Sequence, residues 1–173
     1  TQLAVSSYFD PALYQREMAA IFPGAPRYVG HTLAVPHLGD YLALEHEGNG
    51  RALVHSSRGI ELISNVCRHR QAVMLQGRGN STGSIVCPLH RWTYDVSGKQ
   101  PAGTLIGAPH FETDPCLNLQ NYRLREWNGL LFYFFVREIA TEMADLNETA
   151  SNCEGYVFHQ AVAHECLYNW YTL

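Results

Sequence analysis

Two short stretches, Cys67–Arg70 with the sequence C-R-H-R and Cys87–Trp92 with the sequence C-P-L-H-R-W, decide how this chain is interpreted. Together they form the pattern C-x-H, seventeen intervening residues (70–86), and then C-x-x-H. Each stretch therefore offers one thiolate and one imidazole to a metal centre. A [2Fe–2S] cluster in which two histidines replace two cysteines on one iron requires this ligand set. In that arrangement the two cysteines bind one iron and the two histidines bind the other.

A structural zinc site is the alternative, because a Cys2His2 set also suits tetrahedral zinc. Zinc sites usually pair like ligands within each knuckle, as C-x2-4-C and H-x3-5-H. Here each stretch combines one cysteine with one histidine, and the second begins with Cys87-Pro88. The spacing therefore favours the iron–sulfur cluster, and zinc stays open as the second interpretation.

Around these ligands the chain resembles the Rieske family, and within it the N-terminal domain of the alpha subunits of Rieske non-heme iron oxygenases. Those proteins commonly show C-x-H-R-G in the first loop and C-P-x-H-G-W in the second. This chain differs at Gln71 and Arg91, where the family usually has glycine. Respiratory Rieske proteins carry an additional cysteine in each loop, but Leu89 stands at that place in the second loop here. The resemblance implies four cluster ligands, namely Cys67, His69, Cys87 and His90.

Two aromatic residues follow the second pair of ligands. Rieske proteins commonly have a tyrosine at the place of Tyr94 whose hydroxyl bonds a cysteine sulfur, so the resemblance implies that Tyr94 also contacts the cofactor. Trp92 stands where the high-potential respiratory members have serine, and we expect it to contribute core packing. Because hydrogen bonds to the sulfurs raise the potential of a cluster, the absence of that serine predicts a potential near about −150 mV, the low end of the Rieske range.

The rest of the chain predicts a mainly β fold. Short apolar segments with period-two alternation are separated by turn residues, which is typical of antiparallel sheets in a sandwich or small barrel. The expected strands are 27–34, 40–46, 51–56, 59–65, 84–86, one leaving the second loop from Trp92, 122–126, 130–136 and one resuming at 155–158. A short N-terminal helix is expected with Asp10 as its N-cap and Pro11 at its first position.

Length and composition predict one domain of ordinary type. The 173 residues are enough to bury a core, and we expect a single domain over 1–173. The resemblance implies a Rieske-type fold with a cluster-binding subdomain at about 66–112. A net charge of −4 without a basic run argues against nucleic-acid binding, and no apolar stretch is long enough for a membrane span. Reduced, buried thiols in a cytoplasmic protein are expected for the three remaining cysteines, Cys116, Cys153 and Cys166.

Three further features carry weaker signals. The Gly- and Pro-containing segment 99–110 resembles the third loop that covers the cluster in Rieske folds, and His110 within it is expected to be a structural or surface residue. His159 and His164 have the H-x4-H spacing that oxygenases often use for iron(II). We expect no iron site there, because residues five apart on a strand face opposite sides and no carboxylate completes the set. The ending at 164–173, with Asn169-Trp170, resembles the stretch with which oxygenases enter their catalytic domain.

The resemblance implies a role in electron transfer for a ring-hydroxylating type of oxygenase. Single electrons would come from a ferredoxin or flavin reductase and pass to a mononuclear iron(II) in a catalytic domain of the same or the neighbouring subunit of a homotrimer. That iron and all catalytic residues are expected outside this chain. Exposed arginines in the loops either guide an acidic partner or are simply solvated: Arg68, Arg70 and Arg91.

Several questions stay open from the sequence. Aromatic, quaternary amine and steroid-like substrates are all compatible with it. A free-standing Rieske ferredoxin and a zinc-stabilised binding module without redox activity are the alternative functions.

Overall fold

The computed structural model describes residues 4–21, 23, 25–134, 155–160 and 162. Within this part of the chain, one α-helix is followed by eleven strands. The elements are α1 (Pro11–Ala20), β1 (Arg27–His31), β2 (Asp40–Ala43), β3 (Arg51–Ser56), β4 (Gly59–Ser64), β5 (Arg78–Asn80), β6 (Ser84–Val86), β7 (Thr93–Asp95), β8 (Thr104–Gly107), β9 (Asn121–Tyr122), β10 (Leu124–Trp127) and β11 (Leu130–Tyr133).

The N-terminal helix begins as the sequence predicts. The Asp10 carboxylate accepts hydrogen bonds from the backbone N–H groups of Ala12 and Leu13, at 2.8 and 3.3 Å, and Pro11 occupies the first helical position. These are the groups that a helix leaves without partners at its N-terminus, so the cap stabilises α1. In the ranges that the structure describes, no helix has the length and hydropathy to cross a bilayer.

The strands form three antiparallel sheets. A central sheet has the order β5-β2-β3-β4-β9, a second has the order β1-β11-β10, and a small third sheet has the order β6-β7-β8. The predicted mainly β fold with antiparallel sheets is therefore confirmed.

The central sheet buries both of its faces. Side chains of successive strand residues point to opposite faces, and β3 accordingly sends Ala52 and Val54 into one core and Leu53 into another. The first core also contains residues of the small sheet, namely Ile85, Tyr94 and Leu105. The second contains residues of the β1-β11-β10 sheet, namely Val29, Leu131 and Tyr133. The small sheet is thus fixed against the central sheet by buried apolar surface, and this positions the second cysteine–histidine stretch.

Several predicted strands differ in the structure. The strand expected at 27–34 ends at His31 and turns into a 3-10 helix, Thr32–Ala34, and the strand expected at 40–46 ends at Ala43. The strand expected at 122–126 is divided, because β9 pairs with β4 in the central sheet whereas β10 pairs with β11. The prediction of a strand at 155–158 is wrong, since these residues form no strand and Tyr156 and Val157 are exposed.

Candidate metal centre

The first loop leaves β4 and is fixed at its base by a buried amide. The side chain of Asn65, which is fully buried, donates to the carbonyl of Leu75 at 2.7 Å and accepts the N–H of Leu75 at 2.8 Å. Beyond this base, the N–H of Cys67 donates to Ala72 and the N–H of Gln71 donates to Cys67, both at 2.9 Å. The loop is therefore a tight hairpin, and it holds the Cys67 side chain in the core.

The second loop joins β6 to β7 and repeats the same closure. The N–H of Cys87 donates to Trp92 at 2.8 Å, and the N–H of Arg91 donates to Cys87 at 3.0 Å. Gln71 and Arg91 thus occupy equivalent places, with φ of 56° and 58°. Left-handed backbone costs a residue with a Cβ roughly 1–2 kcal/mol. The two residues that replace the expected glycines nevertheless keep the conformation for which glycine is suited.

The two thiols meet between the loops. Cys67 and Cys87 are almost completely buried in the same core cluster, neither forms a disulfide, and the Cys67 side chain is close enough to affect the pKa of Cys87. Burial raises the pKa of the Cys87 thiol, although the backbone N–H groups of Leu89 and His90 point towards its sulfur and oppose the rise. These N–H groups are suited to a thiolate, the form in which cysteine binds metal.

The two imidazoles also lie side by side. The ring centroids of His69 and His90 are 4.5 Å apart, at an interplanar angle of 72°. His69 is half-buried and its Nδ1 atom is buried without a hydrogen-bond partner, whereas His90 is exposed. Burial lowers the pKa of His69, and the neighbouring His90 and Arg70 lower it further. The ring therefore favours the neutral form that binds metal.

Tyr94 reaches the first thiol from β7. Its hydroxyl oxygen lies 3.4 Å from Cys67 Sγ and accepts the N–H of Arg68 at 3.1 Å. Burial raises the pKa of Tyr94, and the contact with Cys67 contributes to the rise. The contact that the sequence predicted between Tyr94 and a cysteine sulfur is therefore present, with a neutral hydroxyl.

An aromatic group packs on the His69 ring. Trp92 stacks on it with the ring centroids 4.9 Å apart and an interplanar angle of 7°. Phe111, in the segment after β8, contacts both rings, with centroid distances of 5.6 Å to His69 and 5.5 Å to Trp92. Sequence reasoning did not identify Phe111. The only signal for it was its place just after the segment expected to cover the cluster.

These donors fit a [2Fe–2S] cluster better than a single metal ion. Among the residues that the structure describes, no group of three or more His, Cys, Asp or Glu side chains is arranged to hold one metal ion. The four candidate donors form instead a pair of thiols and a pair of imidazoles. A cluster needs two protein ligands on each iron, whereas tetrahedral zinc needs all four at one point. The buried His69 Nδ1 atom, which lacks a partner, is suited to one of the iron bonds.

The other sequence-predicted residues do not belong to this donor set, and some of them lie outside the described residues. His110 is exposed, in agreement with the prediction of a surface residue. Cys116 is exposed, so the prediction that it is buried is wrong. It lies in a 3-10 helix, Pro115–Leu117, on the surface, where no core forms around it. His159 is exposed. Five residues of the remaining predictions lie outside the described residues: Cys153, His164, Cys166, Asn169 and Trp170.

The rim of the site is positively charged and partly apolar. Three arginines of the two loops are exposed, Arg68, Arg70 and Arg91. Leu89 and Phe111 are also exposed beside them, at 59% and 55%. No carboxylate belongs to either loop, so the exposed charged side chains of the two loops are all cations.

Comparisons with known proteins agree with this geometry. The model of the Rieske [2Fe-2S] domain family matches residues 26–119. A putrescine 2-hydroxylase of Ralstonia nicotianae is 51% identical over 173 residues, which cover 99% of this chain and 46% of that protein. The chain therefore spans less than half the length of this relative.

Solved structures share the fold. A naphthalene 1,2-dioxygenase variant with bound phenanthrene superposes with a TM-score of 0.62 at 25% identity, covering 80% of this chain and 32% of the dioxygenase chain. A quaternary ammonium Rieske monooxygenase superposes with a TM-score of 0.63 at 20% identity, covering 83% of this chain and 40% of the monooxygenase chain.

Proposed function

The chain belongs to the Rieske [2Fe-2S] family, and we propose that it is the electron-transfer domain of an oxygenase alpha subunit. The residues that bind the cluster are proposed to be Cys67 and Cys87 on one iron and His69 and His90 on the other, with Tyr94 donating to a sulfur. One observation carries this assignment: two separate loops place two buried thiols in one core cluster and two imidazoles side by side. We also propose that the cluster-binding subdomain comprises about 66–112.

Different residues of the site have different roles in electron transfer. A bound [2Fe–2S] cluster accepts one electron and gives one electron up. The buried thiols and Tyr94 would keep water away from the inner side of the cluster, while the exposed His90 ring would connect its outer side to the protein surface. The arginines of the rim attract an acidic partner and increase its rate of encounter at low salt.

We infer that electrons reach the domain from a ferredoxin or a flavin reductase. They leave for a mononuclear iron in a catalytic domain of the same or the neighbouring subunit, within a homotrimer. Inter-subunit electron transfer is described for the quaternary ammonium Rieske monooxygenase that shares this fold, which supports the second route. Hydroxylation of a C–H bond by O2 consumes two electrons and two protons and gives the alcohol and one water, so the domain must act twice in each turnover.

The substrate is proposed to be an aliphatic amine of the putrescine type. This rests on the 51% identity to a putrescine 2-hydroxylase, whose name specifies an aliphatic diamine. The dependence on a reductase and the free, exposed thiol of Cys116 favour the cytoplasm as the location of the protein.

Cluster loading tests the ligand assignment. The protein, reconstituted with iron and sulfide, is expected to be red-brown, to contain two irons and two sulfides for each chain, and to give a rhombic EPR signal after reduction with dithionite. Cys87→Ser is expected to abolish loading, whereas Cys116→Ser, which changes an exposed cysteine outside the site, retains it. A colourless protein with one zinc and no EPR signal would overturn the assignment.

A second experiment separates an oxygenase domain from a free-standing ferredoxin. The full-length gene product, with a reductase and O2, is expected to hydroxylate putrescine. Reduction of the cluster without any hydroxylation of amines would count against the oxygenase and amine assignments, and would leave the cluster assignment intact.

A further inference from the structure

A buried hydrogen-bond donor beside the metal centre lacks an acceptor. Among the described residues, three buried side-chain polar atoms have no hydrogen-bond partner: Trp92 Nε1, His69 Nδ1 and Asn49 Oδ1. The first two belong to the rings that stack on each other with centroids 4.9 Å apart. Two of the three unpartnered atoms therefore belong to one stacked pair of rings, and the His69 ring of that pair is itself a proposed cluster ligand.

An indole N–H group is seldom buried without a hydrogen-bond acceptor. Trp92 is only 3% exposed, so water does not reach its nitrogen freely. Buried Trp N–H groups usually find a partner, because a buried donor without one loses its hydration and gains nothing in return. The stack with His69 and the contact with Phe111 account for the burial of the ring, but they leave the N–H group unexplained.

The protein sulfurs of the site already have donors. Cys67 Sγ faces the Tyr94 hydroxyl at 3.4 Å, and the backbone N–H groups of Leu89 and His90 point towards the sulfur of Cys87. A Rieske cluster brings two further electron-rich atoms, its bridging inorganic sulfides. The donors described for the two cysteine sulfurs do not account for hydrogen bonds to these sulfides.

We propose that Trp92 Nε1 donates a hydrogen bond to a bridging sulfide of the bound cluster. This inference rests on the proposed function, since it needs the cluster in place. Trp92 then has a polar role in addition to the packing role that the sequence predicts. Because the reduced cluster carries one more negative charge, the bond stabilises the reduced form and raises the reduction potential.

The test removes the N–H group and retains the ring. Trp92→3-benzothienylalanine places a sulfur where the indole has N–H, so stacking on His69 and burial are preserved. The potential of the loaded protein is measured by redox titration followed by EPR. We expect the ratio of reduced to oxidised cluster at a fixed potential to fall about tenfold, which for one electron is a decrease of about 59 mV. The matched control, Trp127→3-benzothienylalanine in β10, is expected to leave the potential unchanged.

A second measurement uses the unaltered protein and does not depend on how the variant folds. With 15N-labelled indole, the reduced cluster is expected to show a weak 15N coupling and a solvent-exchangeable proton coupling in pulsed EPR and ENDOR spectra. An unchanged potential in the variant, or exchangeable proton couplings that are identical in the variant and in wild type, overturns the proposal, and so does the absence of the 15N coupling. A wild-type protein without any Rieske EPR signal overturns the proposed function itself, and the two failures are thereby distinguished.

Discussion

Replacing Tyr94 with phenylalanine removes one hydroxyl from the centre of the site and retains the ring. The ring of Tyr94 is fully buried in the core between the central and small sheets. Its hydroxyl lies 3.4 Å from Cys67 Sγ and accepts the N–H of Arg68 at 3.1 Å. Because burial raises the pKa of Tyr94, the hydroxyl stays a neutral donor throughout the neutral pH range.

The size of the effect follows from the energy of one hydrogen bond. The bond to Cys67 is stronger when the cluster is reduced and more negative. If the two redox states differ by about 0.5–1.5 kcal/mol, the net range for one hydrogen bond, the potential falls by roughly 20–60 mV, since a tenfold change for one electron is about 59 mV. The N–H of Arg68 also loses its acceptor; because Arg68 is exposed, we expect the free energy of unfolding to fall by about 0.5–1.5 kcal/mol.

The assay is a redox titration of loaded wild type and Tyr94→Phe, followed by EPR, with urea unfolding of the same samples. Tyr133→Phe is the matched control, because Tyr133 is also buried but belongs to the core on the opposite face of the central sheet. A Tyr94→Phe potential equal to that of wild type, with the cluster fully loaded, would refute the reasoning. An equal decrease in Tyr133→Phe would show that the effect is not specific to the site.

Three further predictions concern stability. Asn65→Ala leaves the N–H and carbonyl of Leu75 without their side-chain partner. We expect the free energy of unfolding in urea to fall by about 2–4 kcal/mol and iron to be released faster. Unchanged iron retention would contradict this role for the amide. Burial opposes ionisation of Asp95, but its hydrogen bonds, chiefly from Ser97, outweigh burial and lower its pKa. A lowered folded-state pKa gives stability that is present above the unfolded pKa of about 3.9 and is lost as the pH falls through the folded pKa. The difference in free energy of unfolding between wild type and Asp95→Asn should therefore be constant from neutral pH to about pH 5 and shrink below about pH 4. A difference that grows in acid would disprove this account. Arg91→Gly should change the free energy of unfolding by less than about 1 kcal/mol, since relief of left-handed strain is offset by greater freedom of the unfolded chain. Arg91→Val should destabilise the protein by more than about 1 kcal/mol, because valine is β-branched. Equal melting temperatures for both variants would contradict the strain argument.

The sequence predicts the site well because the ligands lie in short local patterns. Cys67 and Cys87 each lie in a hairpin of six residues whose turn is closed by its own backbone, so local spacing is enough to bring one thiol and one imidazole together. A short apolar run between the turn residues at 48–50 and 57–59 likewise predicts β3 over 51–56 with the bounds that the structure has. In both cases the information is contained within a few consecutive residues.

Features that depend on distant partners could not be predicted in this way. β5 consists of Arg78, Gly79 and Asn80, all exposed, and it is a strand only because it pairs with the edge of β2. The division between β9 and β10 arises because adjacent residues pair with different sheets, β9 with β4 and β10 with β11. Phe111 meets His69 and Trp92 across the fold, and no local pattern contains that contact.

The attachment of the two loops to different sheets has a mechanical consequence. The first loop continues from β4 of the central sheet, and the second connects β6 and β7 of the small sheet. A cluster bound by both loops is therefore a cross-link that fastens one sheet to the other and closes a chain segment of about twenty residues, a constraint comparable to a disulfide worth about 3 kcal/mol. Opening of the small sheet then requires iron–ligand bonds to break. In hydrogen exchange, the amides of β6, β7 and β8 should share the slow opening of the central sheet when the cluster is bound and exchange independently once it is removed.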